Sequence, residues 1–151
     1  MGVNATTPGL SLLALPLASL PVTLDILDAH PAPVPYLDAL KEAIESALDC
    51  VQCCTSCADA CLAEDGDMDL SHCIRTDLDC ADVCAATVTV IARQTTPSAD
   101  LVRAQVQACK AACETCAASC EEHAEMHEHC RICAQCCRTC ADACDRLLAA
   151  L

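Results

Sequence analysis

The sequence predicts an all-α protein, an antiparallel up-down-up-down four-helix bundle with a cysteine-lined core. Two observations predict this fold: cysteines recur at helical spacing, and only three glycines interrupt a chain with long alanine, glutamate and leucine tracts. Placed on one helix, Cys50, Cys53, Cys54, Cys57 and Cys61 project within an arc of about 100°. Sulfur therefore occupies the helix face on which a bundle normally carries leucine and isoleucine.

The cysteine pattern of residues 50–61 recurs along the chain. The segments CVQCCTSCADAC and CAQCCRTCADAC share all their sulfur positions, at offsets 0, 3, 4, 7 and 11. Two incomplete copies lie between them, and one further cysteine precedes the last copy on the same helix face. The eighteen cysteines are Cys50, Cys53, Cys54, Cys57, Cys61, Cys73, Cys80, Cys84, Cys109, Cys113, Cys116, Cys120, Cys130, Cys133, Cys136, Cys137, Cys140 and Cys144. Four copies of one stripe predict four helices whose cysteine faces meet in the core.

Capping signals delimit the first two predicted helices. The first begins near Tyr36, just after a proline, and ends near Glu64, where a glycine follows. The second begins at Asp69 or Ser71, which are both plausible N-caps, and ends near Arg93.

The last two predicted helices have one clear boundary. Thr96 and Pro97 read as an N-cap followed by proline at the first helical position, which predicts the start of the third helix. No glycine or proline separates the third helix from the fourth, so the repeat alone places the turn within residues 123–129. Helices joined by such short connections pack as antiparallel neighbours.

The chain divides into a proline-rich N-terminal arm, residues 1–35, and a bundle, residues 36–151. The arm holds six of the seven prolines and no cysteine. It is expected to contain a short apolar helix, over residues 10–20 or 22–29, that needs cover from the flank of the bundle or from a subunit interface.

Charge and hydropathy exclude two classes of partner. The net charge of −14 leaves no basic patch for nucleic acid. Residues 10–27 are too interrupted by proline and aspartate to cross a membrane, and nothing before them resembles a signal peptide. A cytoplasmic location is therefore expected, where thiols stay reduced and dense cysteine indicates metal rather than disulfides.

Four registered cysteine stripes predict a soft-metal store rather than cysteines acting as small hydrophobic residues. Cu(I), Zn(II) and iron–sulfur clusters all favour thiolate. A Cu(I) ion that displaces one thiol proton leaves the charge of the core unchanged, whereas tetrahedral zinc would bury dianions in an already acidic protein. Iron–sulfur clusters need discrete groups of four cysteines. The continuous cysteine stripes favour many Cu(I) ions per subunit, about one per cysteine.

Two alternative functions compete with storage without catalysis. A thiol-disulfide oxidoreductase would use CxxC pairs such as Cys50 and Cys53 or Cys113 and Cys116, but these are predicted to lie in mid-helix on the buried face. A zinc-storing or di-iron bundle would need compensating cations or Glu-x-x-His motifs inside the helices. We therefore do not expect an enzyme.

The chain resembles the bacterial copper storage proteins, and specifically their cytosolic branch. The four stripes carry the resemblance, which covers about residues 36–149. It implies a four-helix bundle, assembled as a homotetramer, that stores and detoxifies Cu(I), with copper chaperones as candidate partners. The N-terminal 35 residues are not covered by the resemblance.

Polar metal ligands gather at one end of the predicted bundle. Thioether and imidazole groups bind Cu(I) more weakly than thiolate does, which suits the reception of an ion and its transfer inward. In the resembled family a mouth of this kind is where copper enters, and the residues at the corresponding end are His123, Met126, His127, His129, His72 and Met68. His30 is expected to be an ordinary surface residue.

Overall fold

The computed structural model describes residues 22–151 and contains five helices. They are α1 (Val22–Asp28), α2 (Leu37–Leu62), α3 (Ser71–Ile91), α4 (Ala99–Glu121) and α5 (Glu128–Ala150). The helix expected over residues 22–29 is present as α1, and the alternative over residues 10–20 lies outside the described part of the chain. No strand occurs within residues 22–151.

Helices α2 to α5 form the four-helix bundle that the cysteine stripes predict. Each helix packs against two neighbours, in the order α2, α3, α4, α5 and back to α2. The thiol contacts show that α2 and α5 are antiparallel, since Cys50 meets Cys136 while Cys61, eleven residues later, meets Cys130. Helix α1 packs against α2 and buries Leu24 and Leu27.

The two ends of the bundle differ chemically. At one end, which we call the closed end, the core is an aliphatic layer made of fully buried side chains from all four helices: Leu40, Ile44, Ile91, Val106 and Leu147. At the other, the open end, lie the connections over residues 63–70 and 122–127. Sulfur fills the core between the aliphatic layer and the open end, so the protein has one apolar floor and one polar rim.

The predicted start of the third helix is wrong. Helix α4 begins at Ala99, and its N-cap is Ser98, whose side chain accepts a hydrogen bond from the backbone N–H of Leu101 at 3.4 Å. Thr96 has a φ of 49°, in the left-handed region, so it turns the chain and does not cap the helix. Pro97 therefore lies before the cap rather than at the first helical position.

The other helix boundaries agree with the sequence to within about two residues. Helix α3 begins at Ser71, and the side chain of Asp69 accepts a hydrogen bond from the backbone N–H of Ser71 at 3.0 Å. It ends at Ile91, slightly before the predicted Arg93. The turn between α4 and α5 falls over residues 122–127, which overlaps the predicted window.

Basic side chains lie on the surface, away from the sulfur face. Arg146 pairs with Glu42 at 2.7 Å and Arg138 with Glu121 at 2.8 Å, which link α5 to α2 and to α4. These exposed pairs contribute little to stability, typically under about 1 kcal/mol each. These two arginines therefore place no positive charge in the core. Within the described residues, no helix is long and apolar enough to cross a membrane.

Candidate metal centre

The eighteen thiols form one buried column inside the bundle. All are unpaired, and all are buried except Cys53 and Cys136, which are half-buried. The helical periodicity explains this placement, because one stripe on each of four antiparallel helices must face the common axis.

Thiols from different helices are in van der Waals contact. The distance between the Sγ atoms is 3.4 Å for Cys54 and Cys137, and 3.6 Å for Cys73 and Cys120. Further towards the closed end, the Sγ atom of Cys84 lies 3.7 Å from that of Cys109. Sulfur is therefore continuous along the axis, and an ion bound at one level has ligands within reach at the next.

The column contains groups of four ligand atoms that all lie within 4.8 Å of one another. They include Cys50 with Cys84, Cys113 and Cys140; Cys54 with Cys116, Cys133 and Cys137; and, at the open end, Cys57 with Cys61, His129 and Cys130. Three levels of soft ligands can hold several ions that share bridging thiolates. The predicted thiols thus meet in the core, in groups that could hold metal ions.

His129 is the mouth residue that the structure brings into the thiol column. Its Nδ1 atom lies 3.5 Å from the Sγ atoms of Cys57 and Cys130, and 3.9 Å from that of Cys61. Its Nε2 atom lies 3.0 Å from a carboxylate oxygen of Glu64. Because a carboxylate only accepts hydrogen bonds, neutral His129 carries its proton on Nε2, which leaves the Nδ1 lone pair facing the sulfurs.

The other mouth residues have no hydrogen bond with a thiol in the described structure. His127 contacts the same Glu64 oxygen, with its Nδ1 atom at 3.0 Å, and its ring centre is 5.4 Å from that of His129. The Nδ1 atom of His123 is buried without a hydrogen-bond partner in the described structure. Three further residues are exposed at the open end and have no thiol hydrogen bond in the described structure: Met126, Met68 and His72.

Sequence reasoning missed Asp77, a fully buried carboxylate inside the thiol column. Its Oδ1 atom accepts hydrogen bonds from the thiols of Cys116 at 2.9 Å, Cys133 at 3.3 Å and Cys120 at 3.4 Å. Its Oδ2 atom is buried without a partner. With Cys57, Cys120 and Cys133 it forms another group of close ligand atoms.

A signal for Asp77 was present in the repeat. Asp77 stands four residues after Cys73, and the three other copies of the stripe have a cysteine at this offset, at Cys54, Cys113 and Cys137. The copy that looks incomplete therefore keeps a possible ligand atom at this position, with oxygen in place of sulfur.

Burial keeps two thiols at the open end protonated. It raises the pKa of Cys61 to about 11 and is also the main cause that raises the pKa of Cys130. A hydrogen bond with Cys120 instead lowers the pKa of Cys73 to about 6. The hydrogen bond from His129 lowers the pKa of the Glu64 carboxyl. Without metal, Cys61 and Cys130 are accordingly neutral, and an anionic carboxylate lies beside them at the rim.

Comparison with known proteins assigns this arrangement to a family. The sequence model described as copper storage protein matches residues 37–149, which is the whole four-helix bundle. The chain belongs to the copper storage protein family. No curated protein matches the sequence.

Solved structures of copper storage proteins agree with this assignment. A copper storage protein from Streptomyces lividans, loaded with ten copper equivalents, is 50% identical and has a TM-score of 0.83, over 85% of this chain and 99% of that one. A second structure, a cytosolic copper storage protein from the same organism with five coppers, is 54% identical with a TM-score of 0.74, over 76% and 95%. The predicted fold and copper as the stored metal are thereby confirmed.

Variants of the Streptomyces lividans protein are also similar to this chain. One, in which two histidines four positions apart are replaced by alanine, is 52% identical with a TM-score of 0.74, over 76% of this chain and 96% of that one.

Proposed function

We propose that this chain stores Cu(I) in the cytosol as copper thiolates along the axis of its bundle. The observation that carries the proposal is the continuous column of thiols, with Sγ atoms from different helices between 3.4 and 4.0 Å apart. The cytosolic location is supported by the similar structure that is described as a cytosolic protein.

Charge neutrality makes a dense filling of the column feasible. Each Cu(I) ion that binds a thiolate replaces one proton, so the buried core keeps its net charge however many ions it holds. Thiolates can bridge two ions, and each ion needs few sulfurs. We therefore expect about one Cu(I) ion per cysteine.

A titration tests this capacity. Reduced protein is titrated anaerobically with Cu(I) against a chromogenic Cu(I) chelator, beside a parallel titration with Zn(II). Copper binding should continue to on the order of one ion per cysteine, while zinc should stop at far fewer ions because each tetrathiolate buries a dianion. Saturation near four or five Cu(I) ions would instead indicate isolated sites and contradict storage along a continuous column.

The site residues of the open end are proposed as the place where copper enters. His129 supports this role because it lies between the rim carboxylate of Glu64 and the first thiols, Cys57, Cys61 and Cys130. The spacing of the two histidines replaced in the Streptomyces lividans variant matches that of His123 and His127 here. Weaker ligands at the rim give an incoming ion intermediate stops before thiolate captures it.

Replacement of the rim ligands separates uptake from capacity. The variant with alanine at His123, Met126, His127 and His129 keeps all eighteen thiols, so its capacity should be nearly intact. Stopped-flow loading with Cu(I) should be slower than in the unmodified protein. Unchanged loading would show that these residues are a solvated loop, and a loss of many ions would show that they belong to the store itself.

Storage without catalysis is the proposed mode of action. A thiol-disulfide oxidoreductase needs an accessible thiolate, but both members of the Cys113 and Cys116 pair are fully buried. An insulin-reduction assay with the reduced protein should show no turnover above the rate of free thiol.

A homotetramer that receives copper from copper chaperones is proposed on the family resemblance alone. Sedimentation equilibrium tests the assembly, with an expected mass of about four times the 15.8 kDa of one chain. Mixing of a copper-loaded chaperone with the apo-protein, followed by separation and metal analysis, tests the transfer.

A further inference from the structure

Two thiols, Cys53 and Cys136, differ from the other sixteen because they are half-buried rather than buried. Both lie where α2 packs against α5. A groove of about 280 Å³ between these helices is lined by Ser46, Asp49, Ile132, Gln135, Cys136 and Thr139. A smaller groove of about 140 Å³, lined by Cys53, Ser56, Cys57, His129 and Ile132, shares its Ile132 wall. One side of the bundle thus offers thiols to solvent.

The groove thiols are in direct contact with the buried column. The Sγ atom of Cys136 lies 3.7 Å from that of Cys50, and Cys50 belongs to the group with Cys84, Cys113 and Cys140, on the closed-end side of the column. An ion bound in the groove is therefore one ligand exchange away from this group without passing the open end.

The route from the open end to the same level is long. Cys50 and Cys61 are eleven residues apart on α2, which is about 17 Å at 1.5 Å per residue. An ion that enters at His129 must pass the middle group of Cys54, Cys116, Cys133 and Cys137 first. Once the open-end group and the middle group are full, an ion from the mouth can reach the Cys50 group only by exchange between occupied sites.

We propose that Cys53 and Cys136 form a lateral exchange site that takes Cu(I) from complexes with small thiols and passes it to Cys50. The site rests on the proposed storage function, which it supplements with a second route into the column. The groove has room for the thiol end of a small carrier, and the exposed Asp49 carboxylate at its wall favours a cation.

The transfer is a ligand exchange without change of oxidation state. A Cu–S bond from copper to the groove thiol forms as the Cu–S bond to the carrier breaks. The proton of the groove thiol passes to the carrier sulfur that leaves, directly or through water, so charge is balanced at every stage.

Thiol labelling tests whether the site is accessible. Native, reduced apo-protein is treated briefly with a limiting amount of iodoacetamide, quenched, unfolded and mapped by peptide mass spectrometry. Cys53 and Cys136 should be modified well before the fully buried Cys84 and Cys109. If the four cysteines react at the same rate, or if Cys53 and Cys136 react last, the lateral site is wrong.

Loading kinetics test whether the site transfers Cu(I) into the thiol column. The four rim ligands are first replaced as above, so that uptake through the open end is slow. In this background, Cys53→Ser with Cys136→Ser should slow loading from Cu(I) held by excess glutathione about tenfold, which equals about 1.4 kcal/mol of barrier. The matched control is Thr89→Ser with Thr115→Ser, which changes two exposed side chains on α3 and α4, away from the groove, and should leave the initial rate unchanged.

A variant that fills the groove separates the effect of blocked access from the effect of losing two thiols. Thr139→Trp fills the larger groove from its exposed wall and leaves every cysteine in place. It should slow loading while final capacity stays at the unmodified level, and circular dichroism confirms that the variant is folded. Full capacity with unchanged rates overturns the lateral site alone, whereas a low capacity in the unmodified protein overturns the storage proposal.

Discussion

Glu64 connects the rim of the bundle to its thiol column. Its carboxylate contacts the Nε2 atom of His129 and the Nδ1 atom of His127, both at 3.0 Å. A carboxylate that accepts from one imidazole nitrogen fixes the ring and makes the other nitrogen a better metal ligand. The Nδ1 atom of His129 is thereby held towards three sulfurs before any ion arrives.

Removal of this carboxylate should slow copper uptake. In Glu64→Ala, His129 loses its fixed tautomer and orientation, and we expect first-phase Cu(I) loading to fall by about tenfold or more, the range seen when such supporting partners are removed. Glu64→Gln keeps an acceptor oxygen, so its loading rate should lie between that of Glu64→Ala and that of the unmodified protein. Stopped-flow loading gives the rates, and ¹⁵N NMR of the His129 ring gives the tautomer. A Glu64→Ala protein with an unchanged tautomer and rate would contradict this role.

Burial of the Asp77 carboxylate lowers the folding stability of the metal-free protein. One of its carboxylate oxygens is buried with no partner, and the other is bound only by thiols, which are weak donors. Asp77→Cys restores the residue type of the three other stripe copies and should stabilise the apo-protein by about 1–3 kcal/mol, which is the usual cost of an unsatisfied buried polar group.

Thermal unfolding of reduced apo-protein measures this gain. Thr76→Ala, a substitution at the adjacent buried position, serves as the control for changes in helix α3. A lower melting temperature for Asp77→Cys would show that the thiol hydrogen bonds outweigh the buried carboxylate.

At the scale of elements, the sequence predicts the helices well and their ends less well. The stripe offsets fix the helix phase, so the four helices and the face each buries follow from Cys50 to Cys144 alone. The start of α4 did not follow, because the backbone at Thr96 adopts a positive φ that no pattern of residue types announces. The sequence also placed His129 at the open end, but its contact with sulfur depends on side-chain orientation, which spacing does not give.

Two substitutions test the observed start of α4. Ser98→Ala removes the side-chain acceptor for the Leu101 N–H and should destabilise the apo-protein by about 1 kcal/mol. Thr96→Gly should stabilise it or leave it unchanged, because glycine adopts a positive φ without steric cost. Chemical unfolding of the reduced protein measures both. If Thr96→Gly destabilises the protein and Ser98→Ala has no effect, the capping arrangement described here is wrong.

At the scale of the whole molecule, the stability of the apo-protein depends in part on thiols whose pKa the fold raises. The pKa values of Cys61 and Cys53 are raised from an ordinary value of 9.0 to about 11. A group whose pKa is higher in the folded state than in the unfolded state stabilises the fold fully below the unfolded value, and this contribution is lost as the pH rises through the folded value. The vulnerable range therefore lies between about pH 9 and pH 11.

Apo-protein and copper-loaded protein should respond differently to alkali. The melting temperature of reduced apo-protein, followed by circular dichroism, should fall between about pH 9 and pH 11, as Cys53 and Cys61 lose their protons. Copper-loaded protein has few thiol protons left to lose, so its melting temperature should change much less in this range. Parallel curves for the two forms between about pH 9 and pH 11 would contradict the raised pKa values of these two thiols.

The aliphatic layer at the closed end also determines how order is distributed along the apo-bundle. Leu40, Ile44, Ile91, Val106 and Leu147 give that end the larger apolar side chains, while the opposite half is packed by smaller thiols. Backbone amides near the closed end should exchange with deuterium slowest, at the rate of global unfolding, and those near Cys61 and Cys130 should exchange faster through local opening. Bound copper should slow exchange mainly in the second group, because metal crosslinks the half of the molecule that side-chain packing leaves looser.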